Sequence, residues 1–174
     1  AAEWAEWTDW VARTRLPARL CVVTTDGVPP EGLSTEPATA SGQVVPGAFW
    51  VTESSGAVEQ WPGFHDGGWW VMDPAAAAVA DLVTGDRVLD ACAAPGGKSF
   101  RLAARGADVL SVDLVAERIA RIGEGAERLK LSVKTRQHDW LTGPIDGLGT
   151  FGSVLVDAPC TGLGVIRRHP EIRW

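Results

Sequence analysis

The chain has 174 residues, of which 45% are hydrophobic and 22% are charged, with a net charge of −6. This length allows one well-packed core, or one domain with a smaller appendage, and excludes two full enzyme domains. The apolar runs are too short to span a bilayer, and no signal-peptide pattern opens the sequence. Three widely spaced cysteines favour neither a disulfide framework nor a zinc site, so we expect a reduced, cytoplasmic protein without a bound metal.

Acidic side chains are concentrated in the N-terminal part of the chain. Residues 1–70 contain nine acidic and three basic side chains, whereas residues 71–174 contain thirteen of each. Because nucleic-acid affinity depends on neutralising phosphates, the N-terminal part is a poor general RNA-binding surface. The candidate for a local RNA contact is the cluster of Arg167, Arg168 and His169, and such a cluster is equally typical of a solvated surface.

The N-terminal part reads as a mixture of one helix and short strands. Trp4, Trp7 and Trp10 recur at helical spacing and predict a helix over 2–13, whose tryptophans we expect to pack in a core rather than to stack on bases. Strands are predicted over 20–25, 49–52 and 69–72, and a loop-rich stretch over 31–47. Residues 1–70 are therefore expected to form a small α+β appendage.

The rest of the chain alternates helices and strands. Asp73 and Pro74 provide the N-cap and the first position of a helix that runs to residue 82. Further helices are predicted over 98–105 and 116–131, the second with its arginines at 118, 121 and 128 facing outward. Strands are predicted from Val88 onward and over 109–112, 133–137 and 154–156. This alternation predicts an α/β domain over 71–174.

A glycine turn and four aspartates predict a ligand site. The stretch Val-Leu-Asp-Ala-Cys-Ala-Ala-Pro-Gly-Gly-Lys-Ser over 88–99 reads as a strand, a turn and a helix start, and a ligand can approach the backbone where Gly96 and Gly97 carry no Cβ. Asp113 lies roughly 20 residues beyond this turn, where a carboxylate can accept from ribose hydroxyls. A single aspartate after a strand is typical of an N-cap, but Asp90, Asp113, Asp139 and Asp157 follow four successive strands, which predicts one ligand crevice at the carboxyl ends.

Two segments carry a family resemblance. Residues 90–98, and Asp-Ala-Pro-Cys-Thr-Gly-Leu-Gly-Val-Ile-Arg-Arg-His-Pro-Glu-Ile-Arg-Trp over 157–174, closely resemble the RsmB/Sun/NSUN family of RNA cytosine-C5 methyltransferases. The Arg-Arg-His-Pro sequence points toward the bacterial branch that acts on small-subunit (16S) rRNA rather than tRNA. The resemblance is firm over about residues 69–174.

The resemblance implies a Rossmann-like methyltransferase sheet, S-adenosylmethionine as cofactor and RNA as partner. It assigns the ribose to Asp113, the adenine edge to Asp139 and a place beside the methyl-transfer centre to Asp157. It assigns the methionine part of the cofactor to the turn residues Cys92, Ala93, Ala94, Pro95, Gly96, Gly97 and Lys98.

The catalytic candidates are Cys160 and Asp157. Carbon C5 of cytosine is a weak nucleophile, so a thiolate must first add at C6. In the family the Pro-Cys cysteine, here Cys160, assists product release, and a Thr-Cys cysteine on the next strand is the nucleophile. The sequence stops before that strand, so we expect a fragment, although Cys160 could serve as nucleophile because the Pro-Cys cysteine does so in DNA cytosine-C5 methyltransferases.

Two features leave alternatives open. A methyltransferase sheet of order 3-2-1-4-5-7-6 would stop here at strand 4, so missing strands or a partner would cover that edge. The alternative to an enzyme is a non-catalytic module that binds S-adenosylmethionine or RNA and lacks the nucleophile. A nucleotide-linked oxidoreductase is a weaker alternative, because the Ala-Pro-Gly-Gly-Lys turn and the Pro-Cys motif argue against it.

Overall fold

The computed structural model describes residues 8–9, 11–12, 18–162 and 166. The chain divides into two units, one formed by Leu20–Asp157 and the other by Ala1–Arg19 together with Ala158–Trp174. Within the second unit, the described residues between 8 and 12 are helical. The tryptophans of the predicted N-terminal helix (Trp4, Trp7, Trp10) and the predicted RNA-contact residues (Arg167, Arg168, His169) lie outside the described residues.

The first half of Leu20–Asp157 forms a four-stranded antiparallel sheet in the order β2-β3-β1-β4. Its strands are β1 (Cys21–Thr24), β2 (Ser34–Ala40), β3 (Gln43–Glu53) and β4 (Trp69–Val71), with a 3₁₀ turn at Val58–Gln60. The predicted loop over 31–47 is wrong, because β2 and β3 form a hairpin there. Ser41 and Gly42 make its two-residue turn with φ of +49° and +78°, and positive φ at both positions matches the natural twist of paired strands.

The second half forms a parallel sheet in the order β7-β6-β5-β8. Its strands are β5 (Arg87–Asp90), β6 (Asp108–Asp113), β7 (Val133–Gln137) and β8 (Ser153–Leu155). The helices are α1 (Pro74–Asp81), α2 (Gly97–Ala104) and α3 (Ala116–Arg128), and Trp140–Thr142 is a second 3₁₀ turn. Numbered along the chain, the parallel strands follow the order 3-2-1-4, so the predicted α/β, partly Rossmann-like fold is confirmed. None of the described helices is long and apolar enough to cross a membrane.

The antiparallel sheet and the three helices share one hydrophobic cluster, whereas the parallel strands are buried in two further clusters. One face of the antiparallel sheet contributes Cys21, Val23, Ala48 and Trp70, and these pack in the same cluster as residues of α1, α2 and α3, namely Ala77, Phe100, Ile122, Ala126 and Leu129. The Trp70 and Phe100 rings meet edge to face, with centroids 6.1 Å apart. Apolar side chains from both sides of residue 70 are buried together in this cluster. The domain boundary predicted at that residue stays a prediction.

Two arginines of the half that contains the parallel sheet bond to the antiparallel half. Arg101 in α2 is 8% exposed; it donates to both carboxylate oxygens of Asp81 at 2.9 Å and to the Pro46 carbonyl at 2.7 Å. Arg128 was predicted to face outward, and this is wrong. Its guanidinium donates to the Phe64 and Trp69 carbonyls at 2.7 and 3.1 Å, because the long apolar stem reaches across to these backbone acceptors.

Strand β8 lies at the edge of the described parallel sheet. Val154 within it is 57% exposed, and Val156 just after it is 63% exposed. Apolar side chains are seldom left on an edge strand, so the expectation that further strands or a partner cover this edge remains a prediction.

Candidate functional site

The turn after β5 is held in one conformation by the residues around it. Gly96 caps α2 with φ of +104°, its N–H donates to the Ala93 carbonyl at 2.8 Å, and its carbonyl accepts from Phe100 N–H at 2.8 Å. A Cβ on Gly96 would lie 2.6 Å from Phe100 Cζ, and one on Gly125 of α3 would lie equally close. Two glycines therefore let the Phe100 ring pack beneath the turn, and only glycine fits at position 96.

Asp113, the last residue of β6, fastens this turn to the sheet. It is 8% exposed; Oδ2 accepts from Ala94 N–H and Oδ1 from Val115 N–H, each at 3.1 Å. Each carboxylate oxygen has a further lone pair, so Asp113 can hold both loops and still accept hydrogen bonds from a pair of ligand hydroxyls. The ribose role of Asp113 stays a prediction.

Asp90, the last residue of β5, is the most enclosed of the four strand-end aspartates. It is 1% exposed; Oδ2 accepts from Ser99 Oγ at 2.7 Å, and Ser99 Oγ accepts from Ser111 Oγ at 2.7 Å. Oδ1 has no hydrogen-bond partner among the described residues. Burial raises the pKa of Asp90 to about 6, and the Ser99 hydrogen bond and the Lys98 charge oppose that rise.

Lys98 and Asp157 form an ion pair across the carboxyl ends of β5 and β8. The Lys98 Nζ bonds to Asp157 Oδ2, and the two side chains are 19% and 55% exposed. Two residues predicted separately, one for the cofactor and one for the transfer centre, are therefore in contact. Both also act electrostatically on Asp90.

Asp139 lies two residues after β7 and caps the following 3₁₀ turn. Its Oδ1 accepts from Leu141 N–H at 2.9 Å, while the neighbouring Trp140 donates Nε1–H to the Ala91 carbonyl at 2.7 Å. The indole thereby connects the loop after β7 with the loop after β5. Asp139 is half-buried at this junction.

The cysteines have different environments. Burial, followed by the charges of Asp113, Asp90 and Asp157, raises the pKa of Cys92 above its ordinary value. That thiol therefore stays protonated at neutral pH and is a poor nucleophile. Cys160 is exposed in the other unit, where its Sγ accepts from Gly162 N–H at 3.4 Å.

The Ser99 and Ser111 hydroxyls are site residues that the sequence reasoning missed. Both are fully buried, and a serine on the inward face of a predicted helix was the only available signal. Ser111 pairs with Asp90 in the register of β5 and β6, so the contact depends on strand pairing.

The donor set suits a particular kind of ligand. Three carboxylates and one ammonium surround the turn, which favours a cationic centre, and Asp113 offers acceptors for a diol. Among the described residues, no group of three or more His, Cys, Asp or Glu side chains could hold a metal ion.

Comparison with known proteins gives consistent matches. A family model described as "16S rRNA methyltransferase RsmB/F" matches residues 77–174, more than half of the chain. Ribosomal RNA small subunit methyltransferase B of Erwinia tasmaniensis is 43% identical over 129 residues, which are 70% of this chain and 30% of that protein. The chain thus spans about 30% of the length of this curated relative.

Solved structures share the fold. The crystal structure of PH0851 superimposes with a TM-score of 0.78 at 24% identity, covering 93% of this chain and 40% of that one. A methyltransferase homolog protein from Pyrococcus horikoshii gives a TM-score of 0.70 at 22% identity, covering 89% and 55%.

Proposed function

The chain belongs to the RsmB/F family of 16S rRNA methyltransferases, and on that premise we propose that it is the cofactor-binding part of an RNA cytosine-C5 methyltransferase that uses S-adenosylmethionine. The observation that carries the proposal is the placement of aspartates at the ends of four parallel strands around a glycine turn that admits no side chain at position 96. Ligands of open α/β sheets bind at this edge.

We assign the cofactor contacts by chemical type. The carboxylate of Asp113 suits the ribose hydroxyls, and that of Asp139 suits the adenine edge. The methionine part would lie along the turn formed by Cys92, Ala93, Ala94, Pro95, Gly96, Gly97 and Lys98. When bound, S-adenosylmethionine supplies an electrophilic methyl group. The carboxylates provide the negative charge that a sulfonium requires.

The base chemistry is assigned to Cys160 and Asp157. A thiolate would add at C6 of cytosine, C5 would take the methyl group, and loss of the C5 proton would then allow the thiolate to leave. Cys160 is exposed, so a nucleobase can reach its thiol. The Lys98 ion pair holds the Asp157 carboxylate in place. If Cys160 attacks C6, the chain carries its own nucleophile and is an enzyme. If Cys160 only assists release of the product, the chain lacks the nucleophile and the non-catalytic alternative holds.

The substrate is proposed to be RNA whose target cytosine is exposed or flipped out of its helix. The names of the relatives favour 16S rRNA over tRNA, and Arg167, Arg168 and His169 are the proposed phosphate contacts. Location in the cytoplasm, where ribosomal RNA is found, is part of the same proposal.

The test combines cofactor binding with methyl transfer. Calorimetry should detect S-adenosylmethionine binding by the 174-residue chain, with the same affinity in Cys160→Ser, because the thiol acts on the base. Transfer of a radiolabelled methyl group to unmodified 16S rRNA, with a tRNA transcript as the control, then decides activity. Transfer that disappears in Cys160→Ser assigns the nucleophile to Cys160. Binding without transfer favours the cofactor-binding module, and absence of binding contradicts the proposal.

A further inference from the structure

Asp90 is an ionisable side chain that the proposed chemistry leaves without a role. Its carboxyl is 1% exposed at the end of β5; Oδ2 accepts from Ser99, and Oδ1 has no well-formed hydrogen bond among the described residues. The backbone N–H of Cys92 acts on the carboxyl only weakly, as the smallest of the effects on the Asp90 pKa. A buried carboxylate oxygen without a donor strongly favours either protonation or a nearby positive charge.

The groups around Asp90 carry an excess of negative charge. Lys98 on α2 and Asp157 beyond β8 act on it directly, while Cys92 in the turn interacts with Asp90, Asp113 and Asp157. With Cys92 neutral, three carboxylates share one ammonium. A partly buried cluster with this excess can bind a proton on its most buried carboxylate, or it can bind a cationic ligand.

We propose that Asp90 is a positioning residue that gives up a proton when the sulfonium cofactor binds, so that the site prefers the cationic methyl donor to its neutral demethylated product. The inference rests on the proposed function. The Asp90 carboxylic acid becomes a carboxylate, the proton passes to solvent, and no bond forms between Asp90 and the cofactor.

Loss of the methyl group explains the preference. S-adenosylmethionine carries a sulfonium charge, whereas S-adenosylhomocysteine has a neutral thioether, so the product no longer compensates an ionised Asp90. Asp90 then takes a proton back from solvent, and the site binds the neutral product less tightly than the cationic methyl donor. A pKa of about 6 for Asp90 places this exchange close to neutral pH.

Proton release can be measured separately from catalysis. Calorimetric titration of the 174-residue chain at about pH 6, in two buffers with different ionisation enthalpies, should show release of about half a proton per S-adenosylmethionine bound and almost none with S-adenosylhomocysteine. The affinity for S-adenosylmethionine should fall about tenfold from about pH 7.5 to about pH 5. In Asp90→Asn, proton release and this pH dependence should both disappear.

Two further variants sharpen the test. Asp86→Asn makes the same chemical change at the opposite end of β5, where the side chain is exposed, and should behave like the unaltered chain. Ser99→Ala removes the donor to Asp90 Oδ2, so proton release should move to higher pH. If Asp90→Asn fails to fold, Ser99→Ala still tests whether Asp90 is the group that releases the proton.

The possible failures are distinguishable. No binding of S-adenosylmethionine overturns the proposed function itself. Binding without proton release, equal release with S-adenosylhomocysteine, or release that persists in Asp90→Asn or is unmoved in Ser99→Ala overturns the role of Asp90 and leaves the proposed function standing.

Discussion

Asp113 joins two backbone segments at the carboxyl end of β6 and has lone pairs left for a ligand. We expect Asp113→Ala to weaken S-adenosylmethionine binding by about 1–3 kcal/mol through loss of the ribose hydrogen bonds. Calorimetry on the folded variant measures the change. Asp108→Ala is the matched control, because Asp108 begins the same strand and pairs with Lys134 on the surface. Equal affinity in the unaltered chain and Asp113→Ala would remove Asp113 from the cofactor site.

Asp90 also affects stability, and the sign follows from its raised pKa. The folded protein holds the Asp90 proton with a pKa of about 6, against 3.8 for the unperturbed group, so stability falls as pH rises through that window. At neutral pH, the resulting loss of unfolding free energy amounts to about 3 kcal/mol. We expect the unfolding free energy of the unaltered chain, relative to Asp90→Asn, to fall by up to about this amount between about pH 4 and pH 7. Urea unfolding at both pH values measures this difference. If the unfolding free energies of the unaltered chain and Asp90→Asn change equally with pH, Asp90 does not have the raised pKa.

The residue contacts of the site were only partly predictable. Asp90, Asp113, Asp139 and Asp157 could be placed at strand ends because apolar runs precede them, and parallel strands end at the same edge of a sheet. The Asp90, Ser99 and Ser111 contact could not be predicted, because it requires the pairing of Asp90 with Ser111 and the seating of α2 on the sheet. The Lys98 and Asp157 ion pair likewise joins residues 59 positions apart.

Among the elements, the parallel strands were predictable and the β2–β3 hairpin was not. Strand β6 is a largely apolar run that ends in Asp113, whereas β7 alternates β-branched with charged residues and ends two positions before Asp139. Pro37 and Pro46 lie inside the hairpin strands, and prolines usually argue against a strand. The Ser41-Gly42 turn was the missed signal, since two residues with positive φ produce a tight hairpin. Arg128 was misplaced because helical periodicity does not show how far a long stem reaches.

Helix α2 is held in place by one buried arginine. Arg101 pairs with both oxygens of Asp81 and with the Pro46 carbonyl, whereas Arg105 reaches the same Asp81 at 3.3 Å from a site that is 45% exposed. Breaking a buried pair leaves an uncompensated charge, while an exposed pair contributes little. We expect Arg101→Gln to destabilise the protein by about 3 kcal/mol and Arg105→Gln by less than about 1 kcal/mol. Chemical denaturation measures the unfolding free energy of both variants. Equal losses in the two variants would show that the buried Arg101 network does not stabilise the protein more than the exposed pair.

For the whole molecule, the cluster shared by the antiparallel sheet and the three helices predicts that both halves of the chain unfold together. Trp70, Ala48 and Val23 are buried against side chains of α1, α2 and α3, so removing residues 1–70 would expose a broad apolar surface. We expect residues 71–174 alone to lack a cooperative unfolding transition, whereas the 174-residue chain shows one. Calorimetric melting of both decides this, and a cooperative transition in the shorter chain would establish an independent domain.

The match to the family model begins at residue 77, and Ala77 is itself fully buried in the core that the antiparallel sheet helps to form. The stretch that the family model covers and the stretch that must fold together are therefore different lengths of chain. Any transplant of the proposed cofactor-binding module into another protein would have to carry the antiparallel sheet with it, including residues that touch neither cofactor nor nucleobase.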